Sequence, residues 1–216
     1  MKHLALLLGL ASLAVQLSFA QPVEPLERPV LAQGDRWLYR VVDLWSERET
    51  VSREDSVVEV VLDGVRLRRS NLPSKDTQSA VGSSFEFFTT VWPVPTTPTI
   101  SGRFTGLDFP LTTGKRWVME FSTGSATNVR PERRAATVEG WETVKVPAGE
   151  FKAIRVVHEG TRMLNARDGV FGSPTYEVLW YAPEVKSYVR REYRNKDAKG
   201  ALANQFREEL VEFTVK

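Results

Sequence analysis

Beyond residue 20 the chain carries one histidine, His158, so any Ser-His-Asp triad would have to be built on it. No serine lies in the Gly-x-Ser-x-Gly turn that presents a nucleophile, and Ser125 and Ser173 fall in ordinary loop-like stretches. His158 is expected to be a half-exposed residue near the end of a strand. There is no cysteine, and a zinc centre needs Cys and His in number. Asn165-Ala166-Arg167-Asp168-Gly169 comes nearest to a calcium loop, and Arg167 spoils it. The doublets Glu54-Asp55 and Glu208-Glu209 point to opposite faces of a strand, so neither can converge on one substrate atom. Two acids far apart in sequence could still do so, but nothing in the spacing selects such a pair. Gly160, Gly169 and Gly172 do not follow a dinucleotide fingerprint and open no helix. No catalytic residue, no metal ligand and no cofactor are assigned. The protein is expected to be non-enzymatic, a hydrolase without a recognisable motif being the catalytic alternative.

The remaining chemistry lies in basic doublets and aromatic rings. Arg66, Arg68 and Arg69, Arg133-Arg134 and Arg190-Arg191 recur on β-prone stretches. They are expected to form a solvated strand face with cross-strand ion pairs. The six tryptophans can fill a core or line an apolar cavity. Pro29 to Tyr39 (PVLAQGDRWLY) and Pro110 to Phe121 (PLTTGKRWVMEF) echo one another, each placing a glycine and then Arg-Trp where a strand begins. Strand-start packing accounts for this. The alternative is that Trp37 and Trp117 flank one pocket mouth, and Trp37, Tyr39, Trp117 and Trp180 are the candidate ligand-binding residues.

The elements that must position these side chains read as β almost throughout from Gly34. Val57 to Leu62, Asp63-Gly64 and Val65 to Arg68 give a hairpin signal, since a type I′ turn favours such residues. A second hairpin joins Arg133–Val146 to Phe151–Met163 around Pro147-Ala148-Gly149-Glu150, where proline presets φ and glycine can take positive φ. Asn71 to Ser84 and Asn165 to Pro174 read as loops. Pro93, Pro95 and Pro98 impose an irregular extended segment. Ala198 to Gln205 could make one helical turn. The expected fold is all-β: a single antiparallel, strongly curved sheet or open barrel of about nine or ten strands. A two-sheet β-sandwich is the alternative. Residues 21–33 form an irregular lead-in and residues 34–216 a single β domain.

Residues 1–20 have the layout of a secretory signal peptide. Met1-Lys2-His3 is a basic head and Leu4 to Leu17 an apolar run. Ser18-Phe19-Ala20 places small residues before a cleavage point after Ala20. The apolar run is short for a bilayer, so no integral membrane span is expected. The product is expected to be periplasmic or secreted, the lack of cysteine favouring the periplasm. Loss of Lys2 leaves the chain near neutral, which argues against nucleic acid as a partner.

Two segments carry a family resemblance. One is Val146-Pro147-Ala148-Gly149-Glu150-Phe151-Lys152-Ala153 and the other is Trp180-Tyr181-Ala182-Pro183. Together they resemble exported bacterial proteins of a β-rich domain family of unknown function, distantly similar to the open barrels of periplasmic lipoprotein carriers. The resemblance spans about residues 110–215 and implies a fold, with no catalytic residue to carry over. The sequence thus points to a protein that binds an apolar or amphipathic small molecule, or an envelope component, in the concavity of a curved sheet. The alternative is a module that binds an envelope protein through a sheet edge or its loops. The sequence carries no signal for the oligomeric state.

Overall fold

The computed structural model describes residues 25–62, 64–72, 83–89, 99–125, 127–166 and 169–216. Eleven strands form one antiparallel sheet: β1 (Arg36–Asp43), β2 (Arg48–Val61), β3 (Gly64–Leu72), β4 (Ser83–Thr89), β5 (Thr99–Gly102), β6 (Arg116–Ser125), β7 (Asn128–Val146), β8 (Gly149–Ala166), β9 (Gly169–Ala182), β10 (Ser187–Lys196) and β11 (Leu202–Thr214). Their order is β4-β3-β2-β1-β11-β10-β9-β8-β7-β6-β5. This is a plain meander in which the first strand pairs with the last, Tyr39 opposite Leu210. The sheet is not closed, and its two edges are β4 and β5, neighbours in sequence.

The all-β curved sheet is the architecture expected from the sequence. The strand beyond the expected number is β5, which pairs with β6 just after the proline-rich connection. The segment expected as a loop over 165–174 is largely strand, because β8 and β9 continue as a long ladder from Ile154↔Tyr181 to Ala166↔Gly169. The helical turn expected over Ala198–Gln205 is instead a turn leading into β11. The only helix among the described residues is one 3-10 turn, Pro183–Val185. The leader and its cleavage point lie outside the described residues, as does Asp63 of the first hairpin turn. That hairpin forms, with Val61 opposite Gly64. The second also forms, and Gly149 takes φ +140° as its turn requires.

Curvature brings distant strands together. The β7–β8 turn reaches across β9 and β10 to β11, where the Ala148 amide donates to the Leu210 carbonyl at 3.0 Å. Phe151 meets Phe213 edge-on, their centroids 5.9 Å apart. A register shift at Val138/Gly140 marks the bulge that bends β7. The concave face holds the main core, with Trp37, Tyr39, Leu67, Ile154, Val156, Tyr181 and Leu210 buried. Part of the chain between β5 and β6 packs on that face as a strap. Leu107 and Leu111 enter the core, Phe109 meets Tyr181 edge-on at 5.3 Å, and Leu111 bridges to Leu26.

Candidate functional site

Strand alternation sends one member of each charged doublet inward. Arg69, Arg134 and Arg191 are buried, as are Asp55 and Glu208. The sequence suggests a solvated face for the arginines, yet these three line the interior with the two carboxylates. There they form a band of alternating charge across the concave side. Arg69 Nε donates to Asp55 at 2.7 Å, and Arg53 Nε stands 3.7 Å from the same carboxylate. Arg53 Nη1 reaches Glu208 at 2.5 Å, and Arg191 lies 3.3 Å from the other Glu208 oxygen. Arg191 and Arg134 both grip Glu177 at 2.5 Å. Arg134 continues to Glu132 at 2.6 Å, and Arg162 closes the series on Glu132 at 2.5 Å.

Five guanidinium groups thus alternate with four carboxylates, and both ends of the band are arginine. Each ion within the band finds its desolvation offset by a partner on either side, and each terminal arginine by a carboxylate. Burial pushes the Glu208 carboxyl upward, but Arg53 and Arg191 outweigh it and hold it at about 2. Glu177 behaves alike: burial opposes its charge, yet Arg191 and Arg134 keep it well below the usual carboxylate range. Tyr188 joins the band by accepting from Arg53 and donating to Glu208 at 2.8 Å.

His158 is fully buried, not half-exposed, because it faces inward from the middle of β8. Its Nδ1 lies 3.2 Å from Glu177 and its Nε2 is 2.8 Å from the Gly106 carbonyl. Both ring nitrogens face acceptors, so neither is free to act as a base. Ser173 donates to the Lys196 carbonyl at 2.5 Å and is not among the groups bonded to His158. His158 instead fastens the strap to the sheet.

One end of the band opens into a cleft of about 240 Å³. Arg134, Arg162, Arg191 and Glu177 form its polar side, while Phe104, Phe121, Tyr193 and Phe206 give it aromatic walls. Tyr193 stacks on Phe206 at 5.4 Å, and Phe104 meets Phe121 edge-on at 5.1 Å. Arg134 and Arg162 both lie over the Tyr193 ring, at 5.8 and 5.7 Å. Cations and π faces are thus packed together at the mouth.

The four aromatic residues singled out from the sequence lie elsewhere. Trp37 is buried and donates from Nε1 to the Val185 carbonyl at 2.7 Å. The Tyr39 hydroxyl is 2.9 Å from Ser187 Oγ and 3.0 Å from the Tyr188 carbonyl. Trp117 is half-buried, donates to the Thr105 carbonyl at 2.8 Å, and stands edge-on to His158 at 6.2 Å. Trp180 lies on the other face of β9 from Leu179 and Tyr181, between the guanidinium groups of Arg155 and Arg190 at 5.7 Å each. None of the four lines the cleft. The sequence does carry a signal for the ionic band and the cleft at its end. Arg53-x-Asp55-x-Val57, Glu132-x-Arg134-x-Ala136 and Arg191-x-Tyr193 place charge on the same strand face as core residues. Only the sheet's curvature shows that this face is the inside.

No family model matches the chain, and neither does any curated protein. Among solved structures, a predicted lipoprotein from Parabacteroides distasonis aligns at TM-score 0.53 and 13% identity, over 88% of this chain and 100% of that one. An exported protein with a YmcC-like fold from Bacteroides fragilis aligns at 0.48 and 14% identity, over 88% and 99% of the two chains. The hypothetical lipoprotein YmcC from Escherichia coli gives 0.42 at 8% identity, over 84% and 85%. At such identities the first likeness shows a common fold. Among the described residues no helix is long and apolar enough to cross a membrane.

Proposed function

We propose that this is an exported, non-enzymatic protein that binds an amphipathic small molecule in the concavity of its sheet. One observation carries the reading: the concave face holds an open cleft whose walls are aromatic and whose other side is a buried ionic band. Small-molecule sites combine apolar walls with a few placed polar groups in this way. The sequence resemblance to exported β-rich proteins, which implies a distant similarity to lipoprotein carriers, points the same way. Trp37, Tyr39 and Trp117 act as the rigid backing of the cavity, and any direct ligand contact from them requires a wider opening, while Trp180 stands on the other face of β9. Native mass spectrometry of protein purified from its host tests the reading, with a retained small amphiphile as the expected result. Ligand-free protein that also fails to bind added amphiphiles would refute it. N-terminal sequencing should find a product beginning at Gln21, and Met1 on a cytoplasmic product would refute export.

A second reading rests on the open edges. Among the described residues β4 and β5 each pair on one side only, so an envelope protein could add a strand there. In that case a proline in β5 abolishes binding of the partner and leaves amphiphile binding intact.

A further inference from the structure

The ionic band is unbalanced where it meets the cleft. Arg162 spends its Nε on Glu132 at 2.5 Å, and its terminal nitrogens hydrogen-bond to no described protein group. Arg134, by contrast, commits Nε, Nη1 and Nη2 to Glu132 and Glu177. Glu132 is itself already held by Arg134 and by the Thr123 hydroxyl at 3.0 Å, so it does not balance Arg162 alone. The band ends on an arginine at either side, and Arg162 is the terminal one that meets the cleft. Beside it, the buried Tyr193 hydroxyl has no hydrogen-bond partner among the described residues. A buried hydroxyl left unpaired costs stability, so its presence at a cleft marks a place for a bonding partner. Arg162 and Tyr193 both line the cleft, with the Arg162 guanidinium over the Tyr193 ring, so a spare donor fork and a spare hydroxyl belong to the same cleft.

From this we infer that the cleft receives the anionic group of an amphiphile, a carboxylate or a phosphate, on the terminal guanidinium nitrogens of Arg162 and the hydroxyl of Tyr193. The aliphatic part lies against Phe104, Phe121 and Phe206. Guanidinium forks suit such oxyanions, and a phenol donates to them readily. The inference rests on the amphiphile reading and adds the charge of the headgroup. The cleft has room for about eight water volumes at roughly 30 Å³ each. That suits a headgroup and its first carbons, so a longer chain must leave through the mouth.

Calorimetry with octanoate, octyl phosphate, 1-octanol and inorganic phosphate tests this on the purified protein. Octanoate and octyl phosphate should bind at least about tenfold tighter than octanol, as hydrogen bonds to a charged group imply. Tyr193→Phe keeps the ring and removes only the unpaired hydroxyl. It should weaken both anions about tenfold while leaving octanol binding unchanged and the melting temperature no lower, since it removes an unpaired buried hydroxyl. Arg162→Gln should abolish the preference for anions, with Arg134 still holding Glu132. Equal affinity for octanoate and octanol, or full octanoate binding by Tyr193→Phe, overturns the anionic assignment and leaves the amphiphile reading standing. Failure of every octyl compound to bind overturns both. Inorganic phosphate binding as tightly as octyl phosphate overturns the amphiphile and leaves only an anion site.

Discussion

Glu177 is the residue on which the interior most depends. Its two oxygens serve Arg191, Arg134 and His158 at once. Glu177→Gln would leave the Arg134 and Arg191 guanidinium groups facing a neutral amide, and breaking such a buried set typically costs about 3–5 kcal/mol. Urea unfolding should show a loss of that order, and a change below ~1 kcal/mol would mean that the band is not formed. The same band sets a pH dependence. Glu208 is held at about 2 in the fold, against an ordinary value of 4.5, and Glu177 lies well below its own. As pH falls below about 4.5 the unfolded chain takes up protons that the fold refuses. The stabilisation is therefore complete above that pH and is lost progressively towards pH 2. The urea midpoint should fall across that window, and Glu208→Gln should flatten the fall while lowering stability at neutral pH. A midpoint independent of pH from 5 to 2 would contradict the assigned pairs.

At the scale of elements, turns were legible and burial was not. Pro147-Ala148-Gly149 announces its hairpin because only a few residues suit the turn, and Gly149 indeed takes positive φ. Gly149→Val should cost about 1–3 kcal/mol through backbone strain, since the added side chain meets only ordinary contacts with Phe151. An unchanged melting temperature would refute that turn. Gly160 is different, and no turn signal points to it. A Cβ there would stand 2.2 Å from the Arg133 carbonyl oxygen and 2.8 Å from Arg134 Cα, so the β7–β8 ladder would have to part. The doublets were legible in half. Alternation shows that Arg133 and Arg134 face opposite ways, but which face is inside depends on curvature set by strands far along the chain. β5 was missed for a related reason. Four residues beside a proline-rich connection have no pattern of their own and are strand only because β6 offers them an edge.

The whole molecule is filled unevenly, and the strap decides where. Around Trp37, Tyr39, Tyr181 and Leu111 the concavity is packed solid, while around Tyr193 and Phe206 it remains open. Trp117 lies between the two regions and packs against both apolar clusters. Its indole donates to Thr105 and its ring meets His158, which in turn holds Gly106. The strap is therefore tied twice, once by each ring, just beside Phe104 of the cleft wall. Trp117→Phe keeps most of the bulk and removes the bond to Thr105. A single lost hydrogen bond of this kind costs about 1 kcal/mol. The melting temperature should fall by only a few degrees. Hydrogen exchange should rise locally at residues 104–107 and stay slow in β9 and β10, because the His158 tie remains. Amphiphile affinity should fall with it, since Phe104 loses its support. If exchange rises throughout the sheet instead, Trp117 is a keystone of the core and the strap does not move independently of it. If neither exchange nor affinity changes, the strap takes its position from His158 and Leu111 alone.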